Sequence, residues 1–142
     1  MFACSLMELI VYSDGGSRGN PGNSAIAFTI MTETDKLLKK HNEYIGIRTN
    51  NQAEYEALIS ALEFASTLTD QKVTCCLDSE LIVKQLNGEY KVRNSELKIL
   101  RLKVYKLEQK FRRTTFKHVP RTDMHIQEVD HLVNQALDEA EK

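Results

Sequence analysis

Four carboxylates, Asp14, Glu54, Asp78 and Asp130, stand at or near the expected ends and first turns of regular elements. Asp14 follows the apolar run 8–13 and Asp78 follows the apolar run 72–77. Glu54 falls in the first turn of one helix and Asp130 early in another. If the first and fourth strands are neighbours, Asp14 and Asp78 approach to roughly 5 Å, one strand spacing. Two like charges that close need a counterion. With no His or Cys in the set, the ligands are hard oxygens that suit Mg²⁺ or Mn²⁺ better than zinc. Two such ions about 4 Å apart suit in-line hydrolysis of a phosphodiester. Taken singly, each acid reads as a cap or a surface residue sooner than as a ligand; the combination carries the argument.

The elements that must position these acids follow from periodicity. Residues 8–13 (ELIVYS) predict a strand ending in a tight turn at Asp14-Gly15-Gly16. Residues 24–32 and 37–47 predict two further strands of an antiparallel meander. Leu58, Leu62 and Ala65 recur at helical spacing, giving a helix from about Asn51 to Leu68 with Asn50 or Asn51 as its N-cap. Lys72–Leu77 predicts the fourth strand, and Ser79–Leu86 a short helix stopped by Asn87-Gly88. Residues 95–111 form an amphipathic helix with a basic outer face, Thr114–Val119 a fifth strand, and a last helix starts near Ile126. The order β-β-β-α-β-α-α-β-α predicts an α/β fold with a mixed five-stranded sheet, three antiparallel strands followed by parallel additions, flanked by helices.

Composition bounds the class. At 142 residues the chain fits one domain spanning 1–142. Hydrophobic residues at 42% and charged residues at 27% suit a soluble globular protein rather than a disordered or membrane chain. With no apolar run of about 18 residues and no signal-like start, the expectation is a cytoplasmic protein. Met1 and a helix ending at Lys142 favour a free-standing protein over an excised domain, and a monomer is expected. Cys4, Cys75 and Cys76 are odd in number and lack metal-ligand spacing; Cys75 and Cys76 read as buried strand residues on opposite faces. The net charge of −1 hides a partition: from Lys84 to Arg121 twelve Lys or Arg meet three acids, a net +9, leaving −10 elsewhere. Charge alone reads equally as a solvated basic helix or as a phosphate-binding segment kept apart from metal ligands.

Five blocks, in order and spacing, resemble type 1 ribonuclease H. They are Asp14-Gly15-Gly16 with Asn20-Pro21-Gly22; Thr49-Asn50-Asn51-Gln52-Ala53-Glu54; Asp78-Ser79-Glu80-Leu81-Ile82-Val83; His118-Val119-Pro120-Arg121; and Val129-Asp130-His131-Leu132-Val133-Asn134. The resemblance covers Ile10 to Ala140 and implies a ribonuclease H-like fold. It also implies an endoribonuclease that cuts the RNA strand of RNA–DNA hybrids, giving 5′-phosphate and 3′-hydroxyl ends. Two Mg²⁺ ions, with Mn²⁺ as a substitute, would be held by Asp14, Glu54, Asp78 and Asp130. Asp14 would bridge both ions, Asp130 serve the ion that activates water, and Glu54 and Asp78 serve the leaving-group ion. Asn20, Asn50 and Asn51 would contact the minor groove, where short amides can read the 2′-hydroxyl; the plain alternative is that Asn50 caps a helix and Asn20 shapes a turn. Lys84 to Arg113 would supply phosphate contacts. Because Gly88–Asn94 leads straight into one long helix, the compact form without an extra basic handle is expected, with salt-dependent binding.

The sequence departs from the pattern at Ile126, where relatives carry Asn, and in a longer loop before Asp130. His125 in that loop is an auxiliary catalytic candidate, set against an ordinary exposed loop histidine. Glu56 should point away from Glu54, two residues being about 200° of helical turn. The competing readings are a hybrid-binding module without catalysis and a nuclease of the same fold acting on DNA.

Overall fold

The computed structural model describes residues 7–142. Cys4 lies outside the described residues. The elements are β1 (Leu9–Gly19), β2 (Gly22–Thr32), β3 (Leu37–Arg48), α1 (Asn50–Ala65), β4 (Lys72–Leu77), α2 (Glu80–Leu86), α3 (Ser95–Glu108), β5 (Arg113–His118) and α4 (Met124–Ala140). The sheet runs β3-β2-β1-β4-β5, with β1, β2 and β3 antiparallel and β4 and β5 added in parallel. The mixed five-stranded α/β sheet is as the element order predicts, and β1 and β4 are neighbours.

Two cores sandwich the sheet. Leu9, Val11, Phe28 and Ile30 face Tyr55, Leu58 and Leu62 of α1, Leu86 of α2, and Leu97 and Val104 of α3. On the opposite face Ala25 and Ala27 meet Ile126, Val129, Val133 and Leu137 of α4, with Tyr12 packed alongside. Side-chain alternation along β1 therefore sends Leu9, Val11 and Ser13 towards α1, and Tyr12 and Asp14 towards α4. Cys75 belongs to the first core and its thiol is pushed well up by burial, as expected of a packing residue.

Several boundaries differ from expectation. β1 does not end at Ser13; it continues through Asp14, Gly15 and Gly16 to Gly19, paired with β2 all the way to Gly19↔Gly22. The two glycines are strand residues that admit helices. A Cβ on Gly15 would sit on the backbone carbonyl of Ala53 in α1, and one on Gly16 would lie 3.2 Å from Val133 Cγ1 in α4. The N-cap of α1 is Thr49, not Asn50 or Asn51: its hydroxyl accepts from Gln52 N while the Gln52 side chain accepts from Thr49 N, a reciprocal capping box. Glu54 consequently sits just past the first turn. The helix closes at Ala65 rather than Leu68, and α3 at Glu108 rather than Phe111. α4 begins at Met124, because Asp123 accepts from the backbone N–H groups of His125 and Ile126 and caps it. His125 is thus a first-turn helix residue and not a loop residue. The outer face of α3 is basic but also exposes Ile99, Leu102 and Tyr105. Thr49→Ala should destabilise the protein by about 1 kcal/mol, the usual cost of a lost cap, read as a lower urea midpoint with an unchanged slope.

Candidate active site

Parallel register places the acids. Pairing of β1 with β4 ends at Tyr12↔Cys76, so two residues further on both strands come Asp14 and Asp78, where the strands have separated. Glu54 reaches the same point from α1, whose backbone rests directly on Gly15. One carboxylate oxygen from each of Asp14, Glu54 and Asp78 lies within 4.8 Å of the others, a group able to hold a metal ion. Asp130 stands outside that group on the second turn of α4, exposed, but lines the same cleft. Asp14 is therefore a mid-strand residue freed by divergence of its neighbour, and not the end of its strand.

The electrostatics are those of a site short of positive charge. Burial, then the charges of Asp78, Glu54 and Asp130, push Asp14 up to about 8; Arg121 opposes the shift. Burial and Asp78 push Glu54 up to about 7, against a hydrogen bond from Ser79 and the charge of Arg121. Arg121 Nε lies 3.5 Å from Asp78 Oδ2, but the arginine side chain is 90% exposed and water weakens its compensation. An all-carboxylate donor set carrying this much uncompensated repulsion fits a divalent cation, which would restore the charged forms.

Around the acids the chain is pinned. Asn50 Oδ1 accepts from Ser17 N at 3.2 Å, and Asn20 Oδ1 accepts from Asn50 N at 3.1 Å, tying the Gly19–Gly22 turn to the start of α1. Asn50 is therefore a tether between elements and not the cap. Asn50 lines the cleft, whereas Asn20 does not. Asn51 follows on the first turn of α1, half-buried. Glu56 points away from Glu54, as expected, and pairs with Arg48 at 2.7 Å. His125 does not line the cleft; its ring stacks on Tyr12 with centroids 4.5 Å apart.

Sequence reasoning passed over two neighbours. Arg18 lines the cleft and pairs with Asp138 at 2.8 Å and Glu141 at 2.9 Å near the end of α4. Arg121 reads in the sequence as basic charge and as part of a motif, and its contact with Asp78 is visible only in the fold. Both contacts span long sequence separations, and no local spacing signals them. Among the described residues no helix is long and apolar enough to cross a membrane.

Sheet order, flanking helices and the acid cluster define a ribonuclease H-like α/β domain. Comparison with known proteins narrows the class. The family described as reverse transcriptase-like matches residues 12–136. The RNase H1 of Halobacterium salinarum superposes with a TM-score of 0.88 at 36% identity, covering 93% of this chain and 98% of that one. The LC11 RNase H1, whose structure holds an RNA/DNA hybrid, superposes with a TM-score of 0.87 at 42% identity, covering 94% and 99%. A bifunctional protein of Mycobacterium tuberculosis is 36% identical over 135 residues; the match covers 94% of this chain but 36% of that protein. The chain thus spans about a third of the length of its mycobacterial relatives. It belongs to the type 1 ribonuclease H family, in the compact form.

Proposed function

We propose that this chain is an endoribonuclease that hydrolyses the RNA strand of RNA–DNA hybrids, leaving 5′-phosphate and 3′-hydroxyl ends. The observation that carries the reading is the convergence of Asp14, Glu54 and Asp78 within 4.8 Å at the point where β1 and β4 diverge. Similarity to an RNase H1 bound to an RNA/DNA hybrid supports the substrate.

Asp14, Glu54 and Asp78, joined by Asp130 from α4, would hold two Mg²⁺ ions, with Mn²⁺ as a substitute. Such ions lower the pKa of an attacking water and stabilise charge on the departing oxygen. The chain's own residues prepare the site. Burial of Asp14 and Glu54 keeps their carboxylates poorly solvated and ready to exchange protons for a cation. The Nδ2 groups of Asn20 and Asn50, oriented by bonds through their Oδ1 atoms, can donate to a 2′-hydroxyl that DNA lacks, with Asn51 beside them. Lys and Arg between Lys84 and Arg113 supply sequence-independent phosphate attraction that weakens with salt.

The test presents one labelled strand set as RNA–DNA hybrid, double-stranded DNA, double-stranded RNA and single-stranded RNA, with Mg²⁺, Mn²⁺ or chelator. Cutting of RNA only in the hybrid and only with metal is the expected result. Binding without cutting in every lane would favour an inactive hybrid-binding module, and cutting of DNA would favour a DNA nuclease. A second check needs no substrate. At pH 7.5, millimolar Mg²⁺ should raise the melting temperature over the chelator control, since a ligand that binds only the folded form stabilises it. An unchanged melting temperature would count against a metal centre among these acids.

A further inference from the structure

Under its middle, α4 lies on small residues, with Tyr12 and Val119 packed at the margin. Ala25 and Ala27 pack beneath Val129 and Val133, and a Cβ on Gly16 would lie only 3.2 Å from Val133 Cγ1. A smooth floor seals a core, but it offers few ridges to fix a helix along its axis. That axial position matters, because it decides where Asp130 stands relative to Asp14. Each residue of slip moves a helix by about 1.5 Å.

Polar and aromatic tethers supply the register that the floor lacks. Towards the end of α4, Arg18 of β1 holds Asp138, Glu141 and, at 3.2 Å, Asn134 Oδ1. In the middle, Asn42 Nδ2 of β3 donates to Leu132 O at 2.8 Å. At the start, the His125 ring stacks on Tyr12 with centroids 4.5 Å apart and planes 28° apart, and its Nε2 lies 3.4 Å from Asp35 Oδ1 in the β2–β3 turn. Tyr12 precedes Asp14 by two residues on the same face of β1, and His125 precedes Asp130 on α4. The stack therefore joins the two acid-bearing elements just upstream of each acid.

We infer that His125 is a positioning residue for Asp130, acting through its stack on Tyr12 and not by moving a proton in the reaction. Its side chain is 22% exposed and committed to Tyr12 and Asp35, away from the cleft lining. Loss of the ring would leave α4 fixed from Leu132 onward but untethered over its first two turns, which carry Asp130. The inference rests on the hydrolytic reading.

Cleavage of the hybrid would be measured for wild type, His125→Ala and His125→Phe, and for His125→Ala in an Asp130→Asn background under single-turnover conditions with enzyme in excess. Each variant is first shown to be folded at the assay temperature. His125→Ala should lower kcat about tenfold, the scale of a small misplacement of a catalytic group, with KM within about twofold. His125→Phe, which stacks but cannot titrate, should recover most of the rate. In the Asp130→Asn background His125→Ala should cost nothing further, because the group it positions is gone. Equal losses in both backgrounds, failure of Phe to rescue, or an unchanged kcat in His125→Ala would each overturn the inference. Wild-type protein that cuts no hybrid would instead remove the hydrolytic reading beneath it, and the two failures are distinguished in the first lane.

Discussion

Asp14→Asn is expected to reduce hybrid cleavage by at least about three orders of magnitude, roughly 4 kcal/mol of transition-state stabilisation, and to make the metal-free protein more stable at pH 8. One cause gives both effects. Asp14 belongs to the acid cluster able to hold a metal ion, and its burial beside Asp78, Glu54 and Asp130 pushes it up to about 8. A carboxyl raised above its unfolded value holds its proton longer in the folded state. Stability therefore falls as pH rises from about 4 to about 8, because the folded form binds more protons than the unfolded form across that window. Glu54, raised to about 7, adds to the same slope. At pH 8 the penalty from Asp14 is on the order of a few kcal/mol, and a neutral amide removes it. Melting temperature against pH in chelator should thus fall more steeply for wild type than for the variant, and Mg²⁺ should flatten the wild-type curve alone. A variant that melts below wild type at pH 8 with the same slope would show that Asp14 is not under this strain.

Element types and sheet order were legible in the sequence because period and punctuation agree over most of the chain. Strands β4 and β5 and the cores of all four helices follow their apolar patterns. The acids could be named because each sits beside a change of element and a distinctive neighbour block. Boundaries failed where a residue type serves two physical purposes. Gly15 and Gly16 look like a turn, since glycine is the usual turn former, yet here they make room for α1 and α4 against a continuing strand. Asn50 and Asn51 look like caps, but Thr49 and Gln52 form a reciprocal pair that outcompetes them and frees Asn50 to hold Ser17 and Asn20. His125 looks like a loop residue because Asp123, close behind Pro120, reads as part of a loop, yet its side chain caps α4. The contacts of Arg18 and Arg121 depend on tertiary folding alone. The glycine misreading hides the feature that fixes the spacing between Asp14 and Glu54.

Gly15→Ala tests that feature, and its effect should rival the loss of an acid. The added Cβ would coincide with the carbonyl of Ala53 and press on the backbone nitrogen of Glu54. Both obstacles are main chain inside a capped helix turn, so neither can rotate aside as a side chain would. Relief requires α1 to lift from β1, which opens the core at Tyr55, Leu58 and Leu62 and carries Glu54 away from Asp14 and Asp78. A destabilisation of about 3 kcal/mol or more follows, the upper range for overpacking a core, together with cleavage reduced by at least about two orders of magnitude in whatever fraction remains folded. Gly16→Ala is the matched control. Its Cβ would meet only Val133 Cγ1, at 3.2 Å, the tip of a side chain that can yield by a few tenths of an ångström. It should cost about 1 kcal/mol. Urea unfolding of the two variants, with the Mg²⁺-dependent rise in melting temperature measured on each, separates the outcomes. Gly15→Ala should lose the metal response and Gly16→Ala should keep it. Equal behaviour of the two would mean that α1 is not seated on Gly15, and that the distance between Asp14 and Glu54 is set by something other than this contact.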